Sequence, residues 1–394
     1  MRRHIAFFNI PMKGHVYPTL PIVVELVRRG HRVSYATTAE RASIVGATGA
    51  TVVPYTSTRP SDSAGDVDLP GRLTFISEIM LTFMTEAEAT LPQLEPWCSA
   101  DPPDLIVHDR LAFAGRLLAA KLDLPAVQLW PMLISGEHWS IARELGIFDP
   151  SQPSYVEFLA RREALVSGLG LTLSLDDFLH PGDCRHLGFY PRAFQYAGDL
   201  FDDRYSFVGP CLGPRPFHPA WRPAGDGRPV VLISLGTIYN NRPDFYLMCA
   251  EAFGGSSWRV VLPVGERIDL ADLGAVPDNV EVLRSVNPLD VLAHATAFVS
   301  PAGMGGLMEA LSRGVGVVTM PVTPEQEVNA ARAIQLGLGV RLDPDGLTAI
   351  ELRDAVDRVA KDNDIARSAD SVRRDILTAG GAVRAADVIE AAVR

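Results

Sequence analysis

A histidine near the start of the chain and an aspartate about ninety residues later are the best candidates for acid–base chemistry. His15 follows an apolar run of strand length, and Asp109 follows the buried-type strand DLIVH. A histidine held by a carboxylate keeps one tautomer and becomes a better base. Such a pair could take a proton from a hydroxyl group. Each residue also has an ordinary structural interpretation, because His15 could bond backbone in a loop and Asp109 could cap the next helix.

A glycine-rich turn between an apolar strand and a helical pattern is the best candidate for phosphate binding. The start of a helix offers unpaired N–H groups and a partial positive charge, and both suit the phosphates of a nucleotide. The alternative is that the glycines only tighten the turn, because a single glycine-rich turn is a weak signal. The residues concerned are Pro301, Ala302, Gly303, Met304, Gly305 and Gly306.

Four polar residues could bind the rest of a nucleotide-linked ligand. Thr237 follows a strand in a Ser-Leu-Gly-Thr turn, where its hydroxyl and N–H could hold a phosphate. Glu309, one turn into the glycine-rich helix, could accept hydrogen bonds from ribose hydroxyls. Glu325 and Gln326 begin a later helix and could bind sugar hydroxyls. The structural alternatives are simple turn chemistry for Thr237, a solvated charge for Glu309, and an acid favoured by the helix dipole for Glu325.

Two stretches of alternating strands and helices must position these residues. A Pro/Gly-rich segment separates the stretches, and 394 residues exceed the size of one hydrophobic core. We therefore predict α/β domains over residues 1–212 and 229–380, joined by a linker at 213–228. Ligands bind beyond the carboxyl ends of strands in such sheets, so the candidate residues are expected to converge on an interdomain cleft.

Composition excludes several classes of protein. The balance of 36 basic and 47 acidic residues, a net charge of −11, argues against a nucleic-acid surface but not against small anionic ligands. The four cysteines are scattered, without a disulfide framework or a zinc motif. No apolar stretch reaches the roughly 18–20 residues of a membrane span, and the N-terminus lacks the features of a signal peptide. We expect a cytoplasmic monomer or homodimer without a metal.

Aromatic and apolar side chains could line a pocket for an apolar molecule. Residues 131–179 look helical with breaks and are rich in such side chains. The candidates are Tyr17 in the first loop, together with Trp130, Met132 and Trp139. Packing in the core is the alternative for most of them.

Over nearly its whole length, the chain resembles the macrolide glycosyltransferases, within family 1 of the nucleotide-sugar-dependent glycosyltransferases. The matching segments include PMKGHVYPTLPIVVELVRRGHRVSYAT, LIVHDRLAFAGRLLA, FYPRAFQYAGDLFDDRYSFVGPCLG, VLISLGTIYNNRPDFY, AGMGGLMEAL and EQEVNAARAIQLGLG. The resemblance implies a GT-B fold, with two facing Rossmann-like domains that bind acceptor and nucleotide sugar respectively. It also implies that residues 381–394 pack back on the first domain.

The resemblance assigns a role to each candidate residue. His15 matches the family's general base, and Asp109 matches its partner. On the donor side, Thr237 and residues 303–306 match the family's diphosphate site, and Glu309 matches its ribose-binding acid. Glu325 and Gln326 match the pair that holds the donor sugar. The implied reaction is direct displacement at the anomeric carbon with inversion, without a metal if helix dipoles and N–H groups stabilise the leaving diphosphate.

The donor side departs from the family pattern in two places. Where the family usually has His-Ala-Gly, this chain has Pro301-Ala302-Gly303, so the imidazole that meets the leaving phosphate is absent. Where the family usually has Trp-Val-Pro-Gln, with the Trp stacked on uracil, this chain reads SVNP from Ser285 and Val286 onward. A lost hydrogen bond to phosphate costs roughly 1.5–3 kcal/mol. Another cation could restore it, and the candidates are Lys13, Arg242 and Arg267.

The sequence therefore predicts an inverting O-glycosyltransferase that moves a sugar from a UDP- or dTDP-sugar to a hydroxyl of a macrolide or other bulky natural product, with no cofactor besides that co-substrate. One alternative is the same reaction with an unusual donor, which would explain the changes at Ser285 and Pro301. Another is a degenerate, non-catalytic binding protein. Retention of His15 and Asp109 speaks against the degenerate protein, because a scaffold has no need of the pair.

Overall fold

A computed structural model describes residues 2–59, 72–145, 151–182, 184–236 and 239–393. The described chain forms two compact units, each built around a parallel sheet. The first unit contains residues 2–59, 72–213 and 379–393, and the second contains residues 214–378.

The first unit contains a parallel sheet with the strand order β3-β2-β1-β4-β5-β6-β7 among the described residues. Its strands are β1 (His4–Phe8), β2 (Arg32–Thr37), β3 (Thr51–Pro54), β4 (Leu105–Asp109), β5 (Ala126–Trp130), β6 (Arg185–Gly188) and β7 (Tyr205–Phe207). Its first eight helices are α1 (Lys13–Val16), α2 (Leu20–Arg28), α3 (Ala39–Gly46), α4 (Arg72–Ala100), α5 (Phe113–Lys121), α6 (Ile141–Leu145), α7 (Pro153–Gly168) and α8 (Leu175–Leu179).

Apolar cores cover both faces of this sheet. The central strands β1 and β4 are buried along their whole length, as expected for strands of a parallel sheet covered by helices. Helices α4, α5, α7 and α8 pack on one face, and α2 packs on the other. The carboxyl ends of β1 and β4 are neighbours, because Phe8 pairs with His108. The loops that follow these two strands therefore begin side by side.

The second unit repeats this plan with the strand order β10-β9-β8-β11-β12-β13 in its described part. Its strands are β8 (Val230–Ile233), β9 (Arg259–Pro263), β10 (Val280–Leu283), β11 (Ala295–Ser300), β12 (Gly316–Thr319) and β13 (Gly339–Arg341). Its helices are α9 (Pro243–Phe253), α10 (Pro288–Leu292), α11 (Met304–Leu311), α12 (Pro324–Gln335), α13 (Ala349–Lys361) and α14 (Asn363–Ala379), which ends where the chain leaves the unit.

The last helix, α15 (Gly381–Ala392), belongs to the first unit. Its apolar side chains, Ala385, Ala386, Val388 and Ile389, are buried in the core that contains α2. Ion pairs from Arg29 to Asp387 and Glu390 fix the same helix at its surface.

Two features of the fold differ from what the sequence led us to expect. The stretch from Pro11 to Pro18 is not a loop, because it contains α1 followed by a 3₁₀ turn at Tyr17–Thr19. The backbone N–H groups of His15 and Val16 both donate to the Met12 carbonyl, which closes this turn. The short edge strand β13 was missed, because three residues carry too little pattern to recognise. The Pro/Gly-rich segment after residue 213 packs on the second unit through several side-chain contacts described below.

No helix of the described residues combines the length and the hydropathy needed to cross a membrane. All four cysteines are buried.

Candidate active site

The structure brings His15 and Asp109 together in the first unit. The His15 Nδ1 lies 2.7 Å from the Asp109 Oδ2. Asp109 is 1% exposed, whereas the His15 side chain keeps 12% of its surface exposed. The other oxygen of Asp109, Oδ1, accepts the Leu111 N–H at 2.8 Å. The carboxylate therefore contacts the imidazole and also closes the turn before α5, but it does not cap that helix, whose N-cap is Ala112 without a side-chain cap.

A buried polar network holds the turn that carries His15. The Asn9 Nδ2 donates to the His15 carbonyl at 3.0 Å and to the Tyr35 hydroxyl at 2.8 Å. The Tyr35 hydroxyl also lies 2.8 Å from the Thr19 Oγ1, which donates to the Val16 carbonyl. Asn9, Thr19 and Tyr35 are each at most 4% exposed. Burial raises the pKa of Tyr35, so its hydroxyl keeps its proton for this network.

Sequence reasoning missed these three residues. The signal available was weak, because Asn9 follows β1, Thr19 ends the 3₁₀ turn and Tyr35 lies in β2, each next to apolar residues. The network nevertheless fixes the backbone at His15, and the position of the imidazole depends on that backbone.

The candidate acceptor residues differ in their exposure. Trp130 has no exposed surface and stacks on the His180 ring, with 6.0 Å between the ring centroids. Trp139 is 9% exposed and stacks on Tyr196. Tyr17 and Met132 are partly buried. The core-packing alternative describes Trp130 well, because a ligand would have to displace other side chains to reach it.

The glycine-rich turn lies where β11 meets α11, in the second unit. The residue with an unusual backbone is Ala302, whose φ is +67°, whereas Gly303 has a φ of −61° and is the N-cap of α11. No side chain caps this helix start. Cβ atoms added to Gly303 or Gly305 would meet nothing within 4 Å. The first turn of α11 is therefore open to an approaching ligand.

A buried asparagine links this turn to α12. The Asn329 Nδ2 donates to the Ala302 carbonyl and to the Glu325 Oε1, both at 3.1 Å. Asn329 has no exposed surface. It therefore holds the left-handed Ala302 and orients Glu325, a function that no local sequence pattern indicated.

Pro301 and Met304, the other two residues of the turn, are buried. A Cβ added to Gly236 would lie 3.8 Å from the Pro301 ring, so the turn after β8 lies beside Pro301. Gly306 packs against β11, because its added Cβ would lie 3.5 Å from the Phe298 ring.

Glu309 is not a solvated charge, since it is 8% exposed and pairs with Arg215. Arg215 lies in the segment expected to be a linker. Its guanidinium compensates a carboxylate that would otherwise lose hydration without a partner. A ribose bound by Glu309 would therefore share the carboxylate with Arg215.

The same segment contacts the stretch that departs from the family pattern. The Ser285 Oγ lies 3.0 Å from the His218 Nδ1, and Phe217 lies against the His218 ring. Val286 is buried, and the Asn287 N–H donates to the Pro219 carbonyl. The His218 ring thus lies beside Ser285, which has no ring of its own, and the Phe217 ring packs against it.

Gln326 uses its side-chain oxygen within the protein. This oxygen accepts the N–H groups of Val322 and Thr323 at 3.0 and 3.1 Å, which forms a capping box at the start of α12. Glu325 and Gln326 are both partly buried. The NH₂ group of Gln326 and the carboxylate of Glu325 are thus the groups that could bind a sugar.

Thr237 lies outside the described residues, as does most of the loop after Thr56. Next to it, the Asn240 Nδ2 donates to the Gly236 carbonyl, and the Arg267 Nη2 donates to the Asn240 Oδ1 at 2.9 Å. Arg242 pairs with the exposed Asp244. Of the two second-unit candidates for a replacement cation, Arg267 is the one linked to the turn after β8. Among the described residues, no group of three His, Cys, Asp or Glu side chains could hold a metal ion.

Comparisons with known proteins agree on one family. A family model described as the C-terminal domain of erythromycin biosynthesis protein CIII-like proteins matches residues 258–390. The NDP-glycosyltransferase YjiC of Bacillus licheniformis is 40% identical over 392 residues, which cover 99% of this chain and 97% of the relative. The demethyllactenocin mycarosyltransferase of Streptomyces fradiae is 40% identical and covers 98% of this chain and 86% of the relative.

A solved structure extends this agreement to the fold. The calicheamicin glycosyltransferase CalG4 superimposes with a TM-score of 0.87 at 37% identity, over 99% of this chain and 98% of that one. The chain therefore belongs to the macrolide-type family of nucleotide-sugar-dependent glycosyltransferases. The family, the GT-B class of fold and the class of enzyme expected from the sequence are confirmed.

Proposed function

We propose that this enzyme is an inverting, metal-independent O-glycosyltransferase. It transfers a sugar from a UDP- or dTDP-sugar to a hydroxyl of a macrolide or another bulky natural product, with the first unit binding the acceptor and the second binding the donor. The observation that carries the proposal is the 2.7 Å contact between His15 Nδ1 and Asp109 Oδ2. This contact leaves Nε2 as the nitrogen that can accept a proton.

The proposed reaction is a single displacement. The acceptor hydroxyl gives its proton to the His15 Nε2, and its oxygen forms a bond to the anomeric carbon of the sugar. The bond between that carbon and the diphosphate oxygen breaks as the new bond forms, so the configuration inverts. The nucleoside diphosphate leaves with the bonding electron pair. Asp109 stabilises the imidazolium that results.

The developing charge on the diphosphate requires electrostatic stabilisation. The open helix start at Gly303 and Gly305 supports N–H donation and a helix dipole as its source. Arg267, through Asn240, is the cation we propose in place of the family's imidazole. We propose Glu309 for the ribose, Glu325 and Gln326 for the sugar, and Ser285 and Val286 near the base. Thr237 keeps its proposed contact with the diphosphate.

Tyr17 and Met132 are the acceptor contacts that partial burial favours. We assign Trp130 and Trp139 an indirect role, because their stacked neighbours leave little surface for a ligand.

A second candidate is the same transfer with an unusual donor base. The contact between Ser285 and His218 supports it, because the His218 ring lies beside Ser285, the residue that matches the family's stacking Trp. Both candidates are tested with a panel of UDP-, dTDP-, GDP- and ADP-sugars and a macrolide or phenolic acceptor, with and without EDTA. Turnover with UDP- or dTDP-sugars, unaffected by EDTA and with inverted anomeric configuration by NMR, supports the first. Turnover with purine donors alone supports the second, and no turnover with any donor contradicts both.

A further inference from the structure

One buried side chain contacts both the glycine-rich turn and the carboxylate proposed for the donor sugar. Asn329 lies in α12 and has no exposed surface. Its Nδ2 donates to the Ala302 carbonyl and to the Glu325 Oε1, both at 3.1 Å. The orientation of the amide is determined, because the carbonyl can only accept and therefore requires the NH₂ group on its side. The Asn329 Oδ1 is buried and has no hydrogen-bond partner among the described residues, so the side chain acts here as a donor.

The backbone of Ala302 is held on both sides. Its φ of +67° is a left-handed conformation that residues other than glycine rarely adopt. Its N–H donates to the Ser300 Oγ at 3.2 Å, and its carbonyl accepts from Asn329. These two hydrogen bonds therefore stabilise a turn that the alanine by itself would disfavour.

The direction of the Gly303 N–H follows from this turn. In a trans peptide the carbonyl and the next N–H point in opposite directions, and none of the described peptide bonds is cis. Because the Ala302 carbonyl points to the buried Asn329, the Gly303 N–H points away from it. Gly303 is the partly exposed N-cap of α11, and a Cβ added to it would meet nothing within 4 Å. Its N–H is one of those that a helix leaves without an internal partner, so it is oriented for an anion at the helix start.

The second contact of Asn329 fixes the direction of a carboxylate. Glu325 lies one helical turn before Asn329 and is partly buried. A glutamate has several rotatable bonds, so its carboxylate needs a partner to keep one direction. The hydrogen bond from Asn329 is of the charge-assisted kind, which is stronger than a bond between neutral groups. Asn329 therefore sets how the Glu325 carboxylate faces a ligand.

We propose that Asn329 is a positioning residue that prepares two parts of the donor site together. It directs the Gly303 N–H to the diphosphate and the Glu325 carboxylate to the sugar. The inference rests on the proposed function, because it takes the glycine-rich turn as the diphosphate site and Glu325 as a sugar ligand. It adds that recognition of both parts of the donor depends on a single residue that touches neither.

The test divides donor binding into its parts and does not depend on turnover. Isothermal titration of the full chain gives the Kd of UDP and of UDP-glucose, and displacement of UDP gives the Kd of uridine. The ratio of the first two nucleoside values, uridine to UDP, measures diphosphate recognition, and the ratio of UDP to UDP-glucose measures sugar recognition. Thymidine, dTDP and dTDP-glucose replace this series if the wild type binds them more tightly.

Asn329→Ala should lower each ratio about tenfold, because each hydrogen bond that orients a ligand-binding group is lost. The Kd of uridine should not change, since neither contact of Asn329 reaches a group proposed for the base or the ribose. Asn329→Asp keeps the shape but turns an acceptor toward both oxygens. It should lower both ratios as well, and it replaces Asn329→Ala if that variant is too unstable to titrate.

Asn279→Ala is the matched control. Asn279 is 2% exposed, and its Nδ2 likewise donates to two protein oxygens, the carbonyls of Phe253 and Trp258. It precedes β10 in the same unit, at the end of the parallel sheet opposite the glycine-rich turn. This variant should lower the thermal midpoint, as Asn329→Ala does, but keep both Kd ratios.

Glu325→Gln separates the two contacts of Asn329. The amide oxygen of the new side chain can still accept from the Asn329 Nδ2, but the negative charge is lost. The sugar ratio should therefore fall, whereas the diphosphate ratio should stay at its wild-type value.

Several results would overturn the proposal. These are unchanged ratios in Asn329→Ala, an equal weakening of all three ligands, a fall in only one ratio, or the same two losses in Asn279→Ala. A wild type that binds no nucleotide of either series would overturn the proposed function as well. If both ratios fall as expected but no donor supports transfer, the positioning role of Asn329 stands and the proposed function fails.

Discussion

The Asp109 carboxylate holds the His15 imidazole with one oxygen only, at 2.7 Å from Nδ1. Its second oxygen is committed to the Leu111 N–H at 2.8 Å. Each oxygen of the carboxylate therefore has its own partner. A substitution that keeps the shape of the Asp109 side chain but replaces one carboxylate oxygen by an NH₂ group should therefore disturb the His15–Asp109 contact.

Asp109→Asn should reduce turnover by about two to four decades while the fold is retained. The Leu111 N–H requires the amide oxygen on its side, so the new NH₂ group faces the His15 Nδ1. The imidazole must then carry its proton on Nε2, where it cannot accept one from the acceptor. Initial rates under saturating donor measure the effect, and the thermal midpoint verifies folding.

The matched control for this change is Asp104→Asn. Asp104 lies just before the same strand and accepts the His4 N–H, far along β4 from the pair. Its variant should keep normal turnover. Normal turnover in Asp109→Asn, or an equal loss in both variants, would contradict a role for Asp109 in setting the tautomer.

The pairing of His15 with Asp109 could be predicted because parallel sheets obey strong rules. Both residues follow strands of one sheet, and β1 and β4 turn out to be neighbours with Phe8 opposite His108. The spacing of apolar residues identified most of the other strands and helices, because those elements are long enough to show a period. It failed at α1, where a single helical turn is too short to show a period.

Contacts between distant segments could not be predicted. Asn329 reaches the Ala302 carbonyl across 27 residues, and Arg215 reaches Glu309 across 94 residues. Neither contact has a local signature, because the sequence around a polar residue in a helix or turn does not show which distant group it will contact. The left-handed backbone at Ala302 was equally hidden, since glycine would be the residue expected there.

Arg215→Met should destabilise the second unit by about 2–4 kcal/mol, because it leaves the Glu309 carboxylate largely buried without a cation. The double variant Arg215→Met/Glu309→Met should recover most of this loss, since it removes the stranded charge as well. Thermal midpoints of the full chain measure both. Arg222→Met, at an exposed position, serves as the control and should change little. A double variant that is less stable than the single one would show that the pair does not act as a unit.

Pro301→His should strengthen UDP binding about tenfold, because a donor to phosphate is worth roughly 1.5–3 kcal/mol. The position is next to the first turn of α11 and beside Gly236, and a histidine there restores the residue that the family usually has. Isothermal titration with UDP gives the Kd. Pro301→Ala is the comparison variant, since it also removes the ring but adds no imidazole. Equal Kd values for the two variants would show that the site has been rebuilt around another cation, with Arg267 as the first to test.

Arg29→Met should loosen α15 by about 1–3 kcal/mol at neutral pH, because Arg29, the residue after α2, binds this helix through Asp387, Glu390 and the Val383 carbonyl. Hydrogen bonds from Arg28 and Arg29 lower the pKa of Glu25 to about 2, and bonds from His31 and Arg29 lower that of Glu390. Carboxylates with a depressed pKa stabilise the fold above their ordinary value, and this stability is lost as the pH falls through the folded pKa.

The difference in thermal midpoint between Arg29→Met and wild type should therefore be full at neutral pH and shrink from about pH 4.5 toward pH 2. Hydrogen exchange should rise in Gly381–Ala392 in the variant. Arg28→Met is the matched control, because Arg28 is 70% exposed, binds the same Glu25 and forms no hydrogen bond or ion pair with the described part of α15. Two results would show that apolar packing alone holds the last helix in place. One is a loss of thermal midpoint in Arg29→Met that does not depend on pH, and the other is an equal loss in Arg28→Met.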